Sequence, residues 1–185
     1  GKKNDKYSET DISNPLSVYG NTKLLGENQI INNSNNYLIL RVSWLFSDFK
    51  KNFVKFVINK LDSNEDFYAV NDLYSIPTFA DEISKFLLFL INNRSNYKYS
   101  KIYNFVNSGP VVTWFEFANF IKQEYSLFKD IKSKIIPISS LKFYNNSIRP
   151  QFSALDNNKL VNDFNYQIEN WQTSIITLLS NYFKS

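Results

Sequence analysis

Apolar and polar positions along the chain change period several times, and each change marks an element. Residues 16–32, opened by Pro15, carry apolar side chains at helical spacing, at Leu24, Leu25 and Ile30. Residues 37–46 read YLILRVSWLF, a β-rich apolar run that predicts a strand buried on both faces, as in a parallel sheet. Over 52–61 the pattern is again amphipathic, with Phe53, Phe56, Val57 and Leu61 on one side. A short strand is expected at 67–70 and a loop at 71–77. Thr78 with Asp81 predicts the cap of a further helix, whose core face carries Ile83, Phe86, Leu87 and Leu90. A strand at 102–106 and a turn at 107–110 follow. Thr113 and Glu116 then form a capping box for a helix running to about Tyr125. A strand at 134–138, an irregular stretch at 145–152 and helices at 156–164 and 171–183 complete the series. Helix and strand alternate, which predicts an α/β fold.

Composition narrows the chemistry. The 185 residues are 43% hydrophobic and 21% charged, without long blocks of like charge, so a packed core is expected and disorder is not. Net charge is +4 and the pI about 9.0. The lysines are scattered and often sit beside Asp or Glu, which fits a solvated surface better than a nucleic-acid stripe. A mildly basic chain also suits a small polyanionic substrate. With no Cys and no His, disulfides, thiolate nucleophiles, Cys/His zinc sites and the commonest general base are excluded. Acid–base work falls to Tyr, Lys, Asp, Glu or a hydroxyl, and no metal site is assigned. The longest apolar stretch, 86–91, is too short to span a membrane and reads as a buried helix face, so a cytoplasmic location and no membrane partner are expected. No Met occurs, and Gly1 is expected to be an internal residue with further chain upstream.

One spacing carries chemistry. Tyr19 and Lys23 lie four apart in a predicted helix, hence on one face. A phenol, with a reference pKa of about 10, is a poor proton donor near neutrality. A neighbouring ammonium favours the phenolate and makes the pair a usable general acid. Lys23 is also placed to hold ribose hydroxyls. The bland alternative is an ordinary surface pair in a Tyr- and Lys-rich chain.

The surrounding motifs extend this pair into a resemblance. Tyr-x-x-x-Lys is the catalytic pair of the short-chain dehydrogenase/reductase superfamily. The stretch NPLSVYGNTKLLGE at 14–27 resembles the dTDP-4-dehydrorhamnose reductase family. LRVSWLF at 40–46, KNFV at 51–54, DLYSIPT at 72–78, IYNF at 102–105 and TWFEFA at 113–118 are similar to that family's successive blocks, in order. So is the C-terminal block with Arg149, Pro150, Ser153, Leu155, Asp156, Lys159 and Leu160.

The resemblance implies the C-terminal part of a Rossmann-like parallel sheet, from 1–46 and 77–108, plus a small α/β substrate-binding lobe, from 47–76 and 109–185. It implies reduction of the C4 ketone of dTDP-4-dehydro-rhamnose with NADPH or NADH, on the way to cell-surface polysaccharide. Tyr19 and Lys23 are then the catalytic and cofactor-contacting residues, and Trp44, Asn52 and Arg149 contact substrate. Each of these three has a second reading: Trp44 as core, Asn52 as a helix N-cap, and Arg149 as an ion-pair partner of Asp156. Mg²⁺ is associated with some relatives, without an assignable ligand here. The glycine-rich phosphate turn and the Ser or Thr beside the reacting carbonyl belong to an N-terminal half or separate chain, absent from these residues, and a homodimer is possible. The 185 residues alone are expected to be inactive. Leu73, Ser75 and Phe152 stand where the family usually has Gln, Gly and Asn. Two other functions remain open: a non-catalytic regulatory subunit, as in the β subunit of methionine adenosyltransferase, and a nucleotide-sugar epimerase or dehydratase.

Overall fold

The computed structural model describes residues 3–93, 101–144 and 149–184. Expected irregular residues 145–148 lie outside the described residues. Among the described residues, four pairs of short strands organise the chain. Strands β1 (Leu38–Arg41) and β6 (Lys101–Asn104) are parallel, as are β2 (Leu45–Phe46) with β5 (Thr78–Phe79) and β3 (Phe67–Val70) with β8 (Ile135–Ile138). Strands β4 (Tyr74–Ser75) and β7 (Val112–Thr113) are antiparallel.

Two cores form. In the larger, helix α2 (Phe53–Asp62) packs against α4 (Trp114–Tyr125), and α4 lies over β3 and β8 and against α7 (Trp171–Tyr182). Asn52 caps α2 by accepting from the Lys55 N–H at 3.2 Å, and Val54, Val57, Ile58 and Leu61 are its buried face. The expected side chains Phe53 and Phe56 sit at the margin instead, Phe56 exposed. Helix α4 has the expected capping box: the Thr113 hydroxyl accepts from the Glu116 N–H at 3.1 Å, and the Glu116 carboxylate accepts from the Thr113 N–H at 2.7 Å. Phe117, Ala118, Ile121 and Tyr125 form its buried stripe. A short helix α5 (Ser140–Phe143) follows β8, and the second core joins Phe86 and Leu90 of α3 (Ala80–Asn92), Tyr103 in β6 and Phe105 just after it, and Leu160, Phe164 and Ile168 in and after α6 (Asn158–Phe164). Residues 160–168 therefore pack with the 77–108 segment rather than with the rest of 109–185.

Three expectations need correction. Thr78 does not cap α3: it pairs with Leu45 as part of β5, and the N-cap is Phe79, which makes no side-chain cap. The Phe79 N–H is held instead by Asn107 Oδ1, at 2.8 Å, from a distant turn. The 37–46 run is not one doubly buried strand. It is half-buried over β1 and interrupted at Trp44, whose φ of 42° is left-handed. The 86–91 patch buries only Phe86 and Leu90, while Leu87, Leu88 and Ile91 are exposed. Helix α1 (Val18–Asn33) buries none of its residues, Leu25 being 61% exposed.

Two backbone features place the segments that frame the site. Gly109 has φ 116°, and a Cβ there would lie 2.9 Å from both Asn170 and Trp171, so this turn before α4 requires glycine. The N-terminal stretch is threaded between β6 and residues 154–156. Tyr7 N–H donates to the Ala154 carbonyl at 2.9 Å, Asp156 N–H to the Tyr7 carbonyl at 2.8 Å, and Glu9 Oε1 accepts from the Asn104 N–H at 2.7 Å.

Candidate active site

The first turn of α1 is fixed by its neighbours. Ser17 is the N-cap, its hydroxyl accepting from the Gly20 N–H at 3.1 Å. Gly20 is pressed on Pro15, where an added Cβ would come within 2.9 Å of the proline Cβ. Tyr19 and Lys23 follow one turn apart, with Lys23 Nζ 5.4 Å from the centroid of the Tyr19 ring. The phenol is 72% exposed.

Since α1 buries nothing, polar contacts carry much of its attachment. Arg41, at the end of β1, donates from Nε and Nη2 to the two carboxylate oxygens of Glu27 at 2.9 and 2.7 Å. Hydrogen bonding to Glu27 raises the Arg41 pKa above its ordinary value, against the opposing effect of burial. This fork ties helix to strand on the side where Lys23 points.

Trp44 follows β1 in the left-handed region, a conformation that costs a bulky residue on the order of 1–3 kcal/mol and clusters at functional sites. Its carbonyl accepts from the Thr78 N–H at 3.1 Å. Its ring stacks on Trp114 with centroids 3.7 Å apart and planes 13° apart, and Trp114 in turn meets Phe53 at 4.4 Å. Trp44 is thus partly buried against the larger core and also faces a cavity.

That cavity, about 730 Å³, is lined by Tyr19, Trp44, Trp114, Leu73, Ser43 and Arg149, among others. Its size lies within the range of small-ligand sites. An adjoining cavity of about 270 Å³ is lined by Lys23, Glu27, Arg41 and Asn104, and the two share Pro15, Gly20, Pro150 and Ser153. Asn104 is buried, and its Oδ1 has no hydrogen-bond partner. Arg149 is exposed at the rim, its guanidinium carbon 4.4 Å from the centroid of the Tyr144 ring. Asp156, the alternative partner weighed for Arg149, spends its carboxylate on Asn158, accepting from its N–H at 2.7 Å.

The structure therefore brings Tyr19, Trp44 and Arg149 to one cavity, with Lys23 in the next. Asn52 lines neither: its Oδ1 caps α2, and its Nδ2 donates to the Ser47 carbonyl at 2.8 Å. Three lining residues escaped sequence reasoning. Trp114 continues the helical stripe of Phe117, Ile121 and Tyr125, so spacing makes it look like core. Leu73 sits in an expected loop, yet is buried with apolar surface toward the cavity. Ser43 lay inside a presumed strand. Its hydroxyl donates to the Ile76 carbonyl at 3.1 Å, and buried Ser75 places its own hydroxyl 3.1 Å from both Ser43 Oγ and the Ser153 carbonyl. Phe152 stacks on Tyr74 with planes 23° apart, and Ser153 N–H donates to the Tyr74 carbonyl at 2.9 Å. Ser75 and Phe152, two of the three departures from the resembling family, are thus accommodated by contacts that tie three segments of the cavity wall together.

Among the described residues, no three His, Cys, Asp or Glu side chains converge to hold a metal ion, and no helix is long and apolar enough to cross a membrane.

Known structures share this fold. A dTDP-4-dehydrorhamnose reductase from Clostridium acetobutylicum superposes with a TM-score of 0.86 at 28% identity, over 98% of this chain and 61% of that one. The Bacillus anthracis enzyme, solved in complex with NADP, gives 0.82 at 28% identity, over 98% and 61%. A dTDP-glucose 4,6-dehydratase from Bacillus anthracis, at 12% identity and a TM-score of 0.76, shares the fold alone. The fold is the Rossmann-like one of the extended short-chain dehydrogenases/reductases. Within that class, residues 1–183 match the RmlD substrate binding domain, and the chain belongs to that family. A dTDP-4-dehydrorhamnose reductase of Sinorhizobium fredii is 32% identical over 177 residues, which are 94% of this chain and 60% of that protein. SpsK of Bacillus subtilis, a spore coat polysaccharide biosynthesis protein, is 25% identical over 95% of this chain and 58% of its own length. The chain spans about 60% of the length of these relatives.

Proposed function

We propose that this chain is the substrate-binding part of a cytoplasmic dTDP-4-dehydrorhamnose reductase and carries its proton donor. The observation behind this reading is the meeting of Tyr19, Trp44 and Arg149 around one cavity, with the Lys23 amine 5.4 Å from the phenol ring. In this reading the Arg149 guanidinium grips the diphosphate in a bidentate manner and Trp44 is the wall for the sugar. Tyr19 donates its phenolic proton to the ketone oxygen as that oxygen gains negative charge. The Lys23 ammonium lies 5.4 Å from the centroid of the ring that gives up the proton. Asn52 is assigned to the helix cap, not to substrate.

A nicotinamide cofactor fits the residues present: Lys23 offers three N–H donors for ribose hydroxyls, beside a cavity at the carboxyl end of β1, where doubly wound sheets hold dinucleotides. When bound, NADPH or NADH supplies hydride to the carbonyl carbon. We assign the rest of the cofactor site to a mononucleotide-binding half that covers α1 and the free side of β1. Two facts support this. Val18, Leu25 and Ile30 are exposed on a helix that buries nothing, and the relatives are longer by a comparable piece. The division into 1–46 with 77–108 and 47–76 with 109–185 is kept as a proposal, with 160–168 moved to the first unit on its packing.

Calorimetric titration of the chain with dTDP-rhamnose tests substrate recognition. Saturable binding is expected, weakened on the order of 10- to 100-fold by Arg149→Ala, the value of a charged bidentate contact. No binding, or binding indifferent to Arg149, sinks the assignment.

A further inference from the structure

The Trp44–Trp114 stack joins two parts of the chain that are far apart in sequence. Trp44 ends the β1 segment, and Trp114 opens α4 directly after the capping Thr113. Both rings line the larger cavity. One face of Trp44 is covered by Trp114 at 3.7 Å. Aromatic pairs favour offset or edge-on arrangements over a close face-to-face sandwich, so this contact is imposed by what surrounds it. Two constraints are visible. Trp44 is held with left-handed backbone, and Trp114 is fixed from behind by Phe53 at 4.4 Å and from below by the capping box. A tryptophan free at a strand end has alternative rotamers; one backed by a clamped indole has far fewer.

We propose that Trp114 is a positioning residue, which holds the Trp44 ring at the angle needed to receive the sugar of a nucleotide-linked ligand. The inference rests on the substrate reading above, but adds a residue and a direction of action: Trp114 works through Trp44, not by its own contact with ligand. Its strength depends on Trp44 being present.

A double-mutant cycle on the 185-residue chain tests this, with dTDP-rhamnose as probe and binding followed by calorimetric titration. The stacked indoles are also expected to give an exciton couplet in far-ultraviolet circular dichroism, whereas Trp171 has Phe117 and Phe120, not an indole, as ring partners. Trp114→Ala is expected to abolish the couplet and weaken dTDP-rhamnose on the order of tenfold, the upper range for an aromatic pair. Trp114→Phe, which keeps a ring and spares the fold, is expected to recover part of the affinity. In a Trp44→Ala background, Trp114→Ala is expected to cost less than twofold more. Equal losses in both backgrounds, or full affinity in Trp114→Ala with the couplet gone, overturns the proposal while leaving the substrate reading intact. Failure of the unmodified chain to bind dTDP-rhamnose overturns both.

Discussion

Replacing Glu27 with Gln isolates what holds α1 in place. Helix α1 buries none of its 16 residues, and an isolated helix of that length is marginal in water. Its hold on β1 is the Arg41–Glu27 fork, with bonds of 2.9 and 2.7 Å and side chains 22% and 18% exposed. Fully exposed pairs contribute about 0.2–1 kcal/mol, and breaking a fully buried one costs about 3–5 kcal/mol. A pair four-fifths buried falls between. Gln keeps one acceptor for Arg41, so the loss is about 1.5 kcal/mol, close to tenfold in the local opening constant. The loss should appear in α1 alone. Native-state amide exchange is the assay: α1 amides in Glu27→Gln should exchange about tenfold faster, while those of α4 and β3 change little. Unchanged exchange in α1 refutes the reasoning. So does a wild-type α1 that exchanges only with global unfolding, since the helix then has anchors beyond the fork.

Three other outcomes follow from the same contacts. Thr113→Ala removes one half of the capping box and should cost about 1–2 kcal/mol in a denaturant melt; an unmoved midpoint counts against the cap. Asp62 is held below the ordinary carboxylate range. Burial acts to raise it, but hydrogen bonds from Tyr125, Tyr182 and Lys129 outweigh that effect. Its folded pKa is depressed, so its stabilisation is complete above the unfolded value of roughly 3.9 and disappears as pH falls through the folded one. Asp62→Asn should flatten the acid limb of stability against pH, and an identical limb contradicts the assignment. Tyr125 is pushed upward by burial and by Asp62, so its contribution is present below roughly pH 10 and lost at higher pH, which Tyr125→Phe should remove from the alkaline limb.

How far these features were legible from the residues depends on how local their causes are. The Thr113–Glu116 capping box and the Asn52 cap were readable because donor and acceptor sit within one turn. The identical logic failed at Thr78, because β-pairing with Leu45 captured that residue and Asn107, 28 positions beyond Phe79, took over the cap. Periodicity along α1 marked a helix without saying what covers it, and among the described residues none buries any of its side chains fully. The left-handed turn at Trp44 leaves no trace in hydrophobic pattern, so a continuous strand was expected where the chain bends to open the cavity. Tyr19, Lys23, Trp44 and Arg149 were found through motif order. Trp114 was hidden because its helical spacing is that of the core stripe it extends.

Turnover measures the central claim most directly. The chain can be joined behind the N-terminal part of the Sinorhizobium fredii reductase and supplied with NADPH and dTDP-4-dehydro-rhamnose. Ketose-dependent NADPH oxidation is expected, falling about 10²- to 10⁴-fold in Tyr19→Phe while dTDP-rhamnose binding persists. A folded fusion that consumes no NADPH, or a Tyr19→Phe variant as fast as its parent, contradicts the account.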